Sequence, residues 1–343
     1  MICADTKGTA GIDGVDNMLR HCNGLDGDSE TDYQDIGGDT MMHIGLVDVD
    51  KTDFPNISLM KISAYHKSLG DIVEMVSIQD VEMGNLFTTF DKFYVACVFS
   101  WNIPKIKNIK DLPNVSIGGI AVSKDIRLPE KIEHIYPDYA LYGIKDTAYG
   151  FLSRGCPRRC PFCVVAGKEG TQSVKVADLS EWWNGQKEIV LCDPNILACP
   201  DSDDLLAQLI YSKAYVDINQ GLDIRLINKA NIEMLNQMKI KMLHFAWDNP
   251  NQDLRKHFEF YREHGAIKNF RKLRVYTLVN YWSTFEQDLE RIYWLRDNGY
   301  DPYVMIYEKY NAPKRIRHLA RWVNNKFVFR KCEKFEDYNP KLA

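Results

Sequence analysis

Three cysteines, Cys156, Cys160 and Cys163, fall within eight residues of the stretch YGFLSRGCPRRCPFCVVAGKEG, spaced C-x3-C-x2-C. Thiolates this close on one loop can hold a soft metal centre, because sulfur selects iron–sulfur clusters, zinc or Cu(I) over hard cations. Clusters of four irons normally take four cysteine thiolates. This loop supplies three, so a cubane held here keeps one iron open, as a catalytic metal keeps a free position where a structural one is closed. Pro157 and Pro161 remove backbone donors and fix φ, which stiffens a loop that must turn three sulfurs inward.

With Phe162 just before the last cysteine, the stretch resembles the signature of the radical S-adenosylmethionine enzymes. The resemblance implies a 4Fe–4S cluster on Cys156, Cys160 and Cys163, with S-adenosylmethionine on the open iron. It implies reductive cleavage of that cofactor to a 5′-deoxyadenosyl radical, which abstracts hydrogen from a substrate. It also implies an external electron donor of flavodoxin or ferredoxin type. Two plainer readings stay beside it. Cys160-Pro161-Phe162-Cys163 alone is a C-x-x-C, as in a dithiol or half of a zinc site. A zinc site asks for a second pair, and Cys192 and Cys199, with six residues between them, match poorly.

A chain of 343 residues is long enough for two domains and a buried core. No run approaches eighteen apolar residues, so no membrane helix is expected. No basic start leads into an apolar core, so no secretory signal is expected. The cysteines outside the loop have no regular disulfide spacing, which points to a reducing compartment and a cytoplasmic protein. Net charge is −4, yet nine acidic residues against Lys7 and Arg20 give residues 1–42 a local balance of −7, leaving about +3 elsewhere. So small an excess implies no global attraction to polyanions.

Glycine-rich and acidic, residues 1–41 read as a flexible extension. From His43 the pattern alternates: IGLVDV, DIVEMVS, FDKFYVACVFS and VSIGGIAV read as strands, and FPNISLMKISAYHKSLG as a helix that stops at Gly70. Residues 42–135 are therefore expected to form an α/β domain with a doubly wound parallel sheet. This domain resembles a cobalamin-binding domain but lacks its D-x-H-x-x-G histidine, since DVDKTDFPN contains none. No residue here supports cobalamin, and His66 reads as a polar residue near a helix end.

Residues 136–147 read as a linker, and 148–325 as six strand–helix units. Six is the number expected of the partial (β/α)6 barrel that the resemblance implies. VADLSEWW is expected to be a helix, Ser202 and Asn228 are expected helix caps, and Gly265 and Gly299 expected stops. Residues 326–343 read as a tail.

Ligands of parallel barrels sit at the C-terminal strand ends, so polar residues there are the candidates. After the second strand come Asp193 and Asn195, where the resemblance implies contact with the methionine amino group, or else a capping turn. The third strand is expected to run through INQGLDIRL, with Gln220, Asp223 and Arg225 on one side. Arg225 is either a carboxylate ligand of the cofactor or the partner of Asp223 or Asp217. Asp248, between Trp247 and Asn249, and Tyr281, beside Trp282, end the fourth and fifth strands and offer contacts to adenine or substrate. Cys192, Cys199 and Cys332 read as small buried hydrophobes rather than ligands of a second cluster. The last helix and tail interleave Lys314, Arg315, Arg317 and Arg321 with aromatics, a pattern that suits nucleic acid or a solvated face over a core stripe. The substrate, small or macromolecular, is not legible. The rival function is a non-enzymatic protein with a structural iron–sulfur or zinc site.

Overall fold

The computed structural model describes residues 41–83 and 89–341. The expected acidic extension therefore lies, except for Met41, outside the described residues. Two separate parallel sheets carry the rest.

The first sheet contains β1 (His43–Asp48), β2 (Ile72–Met75), β3 (Lys92–Ala96) and β4 (Val115–Gly118), in the spatial order β2-β1-β3-β4. Helix α1 (Ile57–Ser68) links β1 to β2, and α2 (Ile78–Met83) follows β2. Asn56 starts α1 by accepting the Leu59 N–H at 3.1 Å, leaving fewer orphan donors at the helix end. The order reverses at β1, and right-handed crossovers then place connections on both faces. Accordingly β1 is buried on both sides. Ile44 and Leu46 pack with Leu59 and Ile62 of α1, while Val47 packs with Val81 of α2, Phe93 and Val95. This is the doubly wound arrangement expected of the segment.

The second sheet contains β5 (Thr147–Gly150), β8 (Glu188–Leu191), β9 (Tyr215–Leu222), β10 (Lys239–Ala246), β11 (Leu273–Val279) and β12 (Asp301–Ile306), adjacent in that order and all parallel. Two short antiparallel strands, β6 (Ser153–Arg154) and β7 (Val174–Lys175), lie in the first crossover. Helices α3 (Ser202–Ser212), α4 (Lys229–Gln237), α5 (Arg255–His264), α6 (Phe285–Asp297), α7 (Lys314–Asn324) and α8 (Lys326–Lys331) complete it. Here spatial order equals chain order. Right-handed crossovers therefore put every helix on one face. Val216, Ile218, Leu243, Phe245 and Val275 meet the helices there in one core. The opposite face is free of crossover helices.

Several local expectations hold for stated reasons. Asn228 caps α4 in a capping box with Asn231, and Gly265 follows α5 directly. Others are corrected. Ser202 is the first residue of α3 rather than its cap, which is Asp201. VADLSEWW forms only a 3-10 turn, Leu179–Glu181; the following Trp182 turns under β5, so close that a Cβ on Gly150 would lie 2.3 Å from its ring. The third strand ends at Leu222, and Ile224–Leu226 is a 3-10 turn, because Asp223 caps it by accepting the Arg225 N–H at 3.1 Å. Gln220 and Arg225 therefore do not share an extended segment. Within residues 326–343, α8 buries Phe329 against Trp322.

The linker is fastened to both sheets. Asp138 accepts from Ser63 at 2.7 Å and pairs with Lys67 at 2.6 Å. Tyr142 donates to Asp48 at 2.8 Å, and Tyr139 donates to the Trp182 carbonyl at 2.7 Å. No helix among the described residues is long and apolar enough to cross a membrane.

Candidate metal and cofactor site

The cysteine loop leaves β5 at the carboxyl end of the second sheet. Its neck is the β6–β7 pair, and Val176 N–H closes back on the Leu152 carbonyl at 2.8 Å. Inside the neck the backbone is forced. Gly155 has φ +89°, and a Cβ there would lie 1.9 Å from the Gln172 carbonyl oxygen, so only glycine fits directly before Cys156. Arg159, between the first two cysteines, has φ +48°. Left-handed backbone at a non-glycine residue costs energy and is commonly found at functional loops. Asn280 and Glu308, at the ends of β11 and β12, share this conformation.

Asp193 anchors the loop. It is buried, and its carboxylate accepts the Leu152 N–H at 2.8 Å, the Ser153 N–H at 2.6 Å and the Ser153 hydroxyl at 2.6 Å. Burial pushes its carboxyl up to about 7 against those hydrogen bonds. Asn195, 2% exposed, reaches Cys156: its Nδ2 lies 3.7 Å from Sγ. The other side-chain atom, Oδ1, is buried and bonded to no described residue. A second anchor comes from β9. Asp223 takes the Arg158 guanidinium of the loop on one oxygen and Arg225 Nε at 2.7 Å on the other. Of the readings open for Arg225, the pair with Asp223 is the one formed, and its remaining reach goes to Gln252 at 2.8 Å.

Across the sheet end, Phe162 is 3% exposed and meets Tyr281 and Trp282 edge-on at ring distances of 5.6 and 5.4 Å. Tyr281 in turn packs on Tyr307 at 4.6 Å. Asp248 is half-buried; desolvation pushes its carboxyl up to about 6, and it accepts the Leu278 N–H at 3.1 Å. Burial, Asp248 and the sulfurs of Cys163 and Cys156 push the Cys160 thiol up to about 11, with Arg225 opposing. Thus Phe162, Asn195, Arg225, Asp248 and Tyr281 gather around the cysteine loop at one end of the sheet. Gln220 stands half-buried two residues before β9 ends. Among the described residues no three His, Cys, Asp or Glu converge as ligands of a single metal ion; cubane ligands each hold a separate iron and stand farther apart.

Among the described residues the other cysteines do not gather. Cys97, Cys199 and Cys332 belong to three different hydrophobic clusters. Cys192 is buried at the end of β8, its thiol pushed up to about 12 by burial and Asp193.

In the first sheet, the residues do not fit a histidine-ligated cobalamin. Asp50 bridges β1 to β3, accepting from Val98 N–H at 2.6 Å and Asn102 Nδ2 at 2.8 Å. Both nitrogens of the buried His66 are engaged, by Asp71 at 2.7 Å and Tyr94 at 3.1 Å. A cleft of about 450 Å³ lies beside Asp48, Lys51, Ser77 and Tyr142, without a histidine lining it.

Arg291 and His244 escaped the sequence reading, which named Asp217 only as an alternative partner of Arg225. Arg291 of α6 is 2% exposed and donates to the carbonyls of Trp247 (2.5 Å), Asp248 (2.9 Å) and Leu278 (3.0 Å) while pairing with Asp288 at 2.6 Å. It stitches the ends of β10 and β11 to the helix. Asp217 and His244 lie on the helix-free face. Their signal was an ionisable residue in each of the largely apolar strands YVDIN and MLHFA.

No family model and no curated protein sequence matches the chain. Solved structures resemble it loosely. One is the radical S-adenosylmethionine methyltransferase TsrM from Kitasatospora setae with cobalamin and a [4Fe–4S] cluster bound, 13% identical over 77% of this chain and 69% of that chain, TM-score 0.39. The same enzyme with tryptophan and a cofactor analogue bound is 14% identical over 77% and 67%, TM-score 0.39. SuiB of Streptococcus suis, bound to the precursor peptide SuiA, is 14% identical over 68% and 58%, TM-score 0.39. Likenesses this loose carry neither fold nor function to this chain.

Proposed function

We propose that the chain is a radical S-adenosylmethionine enzyme whose six-stranded sheet forms a partial (β/α)6 barrel. The observation that carries the reading is the C-x3-C-x2-C loop mounted at the carboxyl end of the first strand of a singly wound parallel sheet. The donor set suits the cluster: the Cys160 thiol, made costly to ionise by burial, Asp248 and the neighbouring sulfurs, would be relieved by a cationic iron centre, beside which a thiol deprotonates. When bound, the 4Fe–4S cluster and S-adenosylmethionine supply reductive cleavage of the sulfonium and hydrogen abstraction from a substrate.

The chain's own residues have distinct tasks. Cys156, Cys160 and Cys163 hold the cluster, and Asp193 and Asp223 hold the loop. Asn195 steadies the Cys156 sulfur through Nδ2 and presents Oδ1 to the cofactor's amino group, since a buried carbonyl without a donor is costly until one arrives. Phe162 and Tyr281 wall the site with apolar surface and exclude water. Asp248, Gln220 and Arg225 supply polar contacts at neighbouring strand ends, with Arg225 released from Gln252 toward a carboxylate.

The test is anaerobic reconstitution with iron and sulfide, followed by dithionite reduction with S-adenosylmethionine. The expected product is 5′-deoxyadenosine, dependent on each of the three cysteines. Iron bound without cleavage refutes the enzyme reading and leaves a structural centre.

A further inference from the structure

The helix-free face of the second sheet carries three carboxylates whose partners differ. Glu188 and Tyr215 are register partners, Asp217 lies two residues on from Tyr215, and His244, Arg274 and Asp301 are register partners in turn, so all lie on one face. Glu188 is neutralised by Lys241 at 2.5 Å. Asp301 is neutralised by Arg274 at 3.4 Å and Lys326 at 2.8 Å. Asp217 has no lysine or arginine partner among the described residues. Its Oδ1 is buried and receives no hydrogen bond from them. His244 Nδ1 lies 3.3 Å away. That nitrogen is spent, however, on the Ile218 carbonyl at 3.0 Å, and because a carbonyl only accepts, it must carry the proton.

The surroundings favour a cation. Tyr276 stacks on the His244 ring at 5.1 Å, with its hydroxyl tied to the Asn219 carbonyl at 2.9 Å. Tyr149 pairs across β8 to the same rung as Asp217. Ring faces attract ammonium groups, and a carboxylate whose side chain is 15% exposed, with one oxygen buried and no lysine or arginine partner among the described residues, offers an ammonium group a site. Asp217 also lies on the sheet below the end that carries the cysteine loop, one rung past Glu188 and before Asn219.

We propose that this face is the substrate site and that Asp217 receives a protonated amine of the substrate, with the His244 ring beside it held in place by the Ile218 carbonyl. That the amine belongs to a substrate rests on the radical enzyme reading; that an amine binds here does not.

The test uses the full chain and three probes of one shape and different charge: tyramine, 4-ethylphenol and 3-(4-hydroxyphenyl)propionate, titrated calorimetrically near neutral pH. Tyramine is expected to bind at least about tenfold more tightly than 4-ethylphenol, and the propionate most weakly. Asp217→Asn is expected to abolish the preference for tyramine. Should that variant fail to fold by circular dichroism, the wild-type charge series alone decides. Equal affinity for tyramine and 4-ethylphenol, no binding of tyramine, or a preference that survives in a folded Asp217→Asn protein overturns the proposal. The probes need neither iron nor cofactor, so this failure and a failure to form 5′-deoxyadenosine are separate results.

Discussion

The two parallel sheets of this molecule finish their carboxyl ends in opposite ways. In the first, strand order reverses at β1, and the crevice that such a reversal creates for ligands is bridged by the protein itself: Asp50 ties β1 to β3, and the linker's Tyr142 occupies one oxygen of Asp48. In the second, strand order never reverses, one face stays free of crossover helices, and buried acceptors stand without donors there and above it, at Asp217 Oδ1 and Asn195 Oδ1. Folds satisfy the great majority of their buried polar groups internally, and these two acceptors lie on the face and strand ends of the proposed site. The contrast supports the proposed placement of binding on the second sheet.

The largest effect that would sharpen this contrast comes from Arg291. Replacing it by Met strips donors from three strand-end carbonyls and leaves Asp288 buried without its partner. Breaking a buried pair costs about 3–5 kcal/mol. Chemical unfolding should show that loss; a change under about 1 kcal/mol would mean the end of the second sheet does not depend on this residue.

Next comes Asp193→Ala, which orphans two backbone N–H groups and the Ser153 hydroxyl at the loop's root. Each unsatisfied buried donor costs about 1–3 kcal/mol. Beyond the stability loss, iron retained after reconstitution and desalting should fall, because the three thiols no longer share one geometry. Full iron retention would show that Asp193 merely supports the sheet. By contrast Tyr142→Phe removes one hydrogen bond to Asp48 and should cost about 1–2 kcal/mol with iron content untouched. If iron fell with Tyr142→Phe, the division between the two sheets would be wrong.

Much of this contrast was legible in the chain. Alternating apolar runs located the four strands of the first sheet and the count of six in the second, and the cysteine spacing located the loop. What periodicity could not convey was how a local side chain redirects the backbone. Asp223 captures the Arg225 N–H and turns an apparent strand into a 3-10 turn. Trp182 needs the space beside Gly150 and shortens an apparent helix to a turn. Nor could spacing reveal pairings between distant segments. Arg158 meets Asp223 across 65 residues and Arg291 meets the Trp247 carbonyl across 44, so both looked like ordinary surface charges.

The smallest expected effect tests whether the first sheet is a scaffold through and through. Burial lowers the His66 pKa below its ordinary 6.5, with Lys92 adding to the shift and Asp71 opposing it. The Tyr94 hydroxyl faces its other nitrogen. A histidine whose folded pKa is depressed leaves the folded state with fewer protons than the unfolded chain. Its contribution is therefore complete above 6.5 and shrinks as pH falls below it, by no more than about 1.4 kcal/mol per pH unit for one proton. Unfolding free energies measured from about pH 7.5 down to about pH 5, on both sides of the ordinary histidine value, should decline, and His66→Gln should decline less steeply. A slope that His66→Gln leaves unchanged would place the acid sensitivity elsewhere. A ligand-induced upward shift of the wild-type slope would mean that the first sheet, too, binds something through this residue, and the contrast between the sheets would fall.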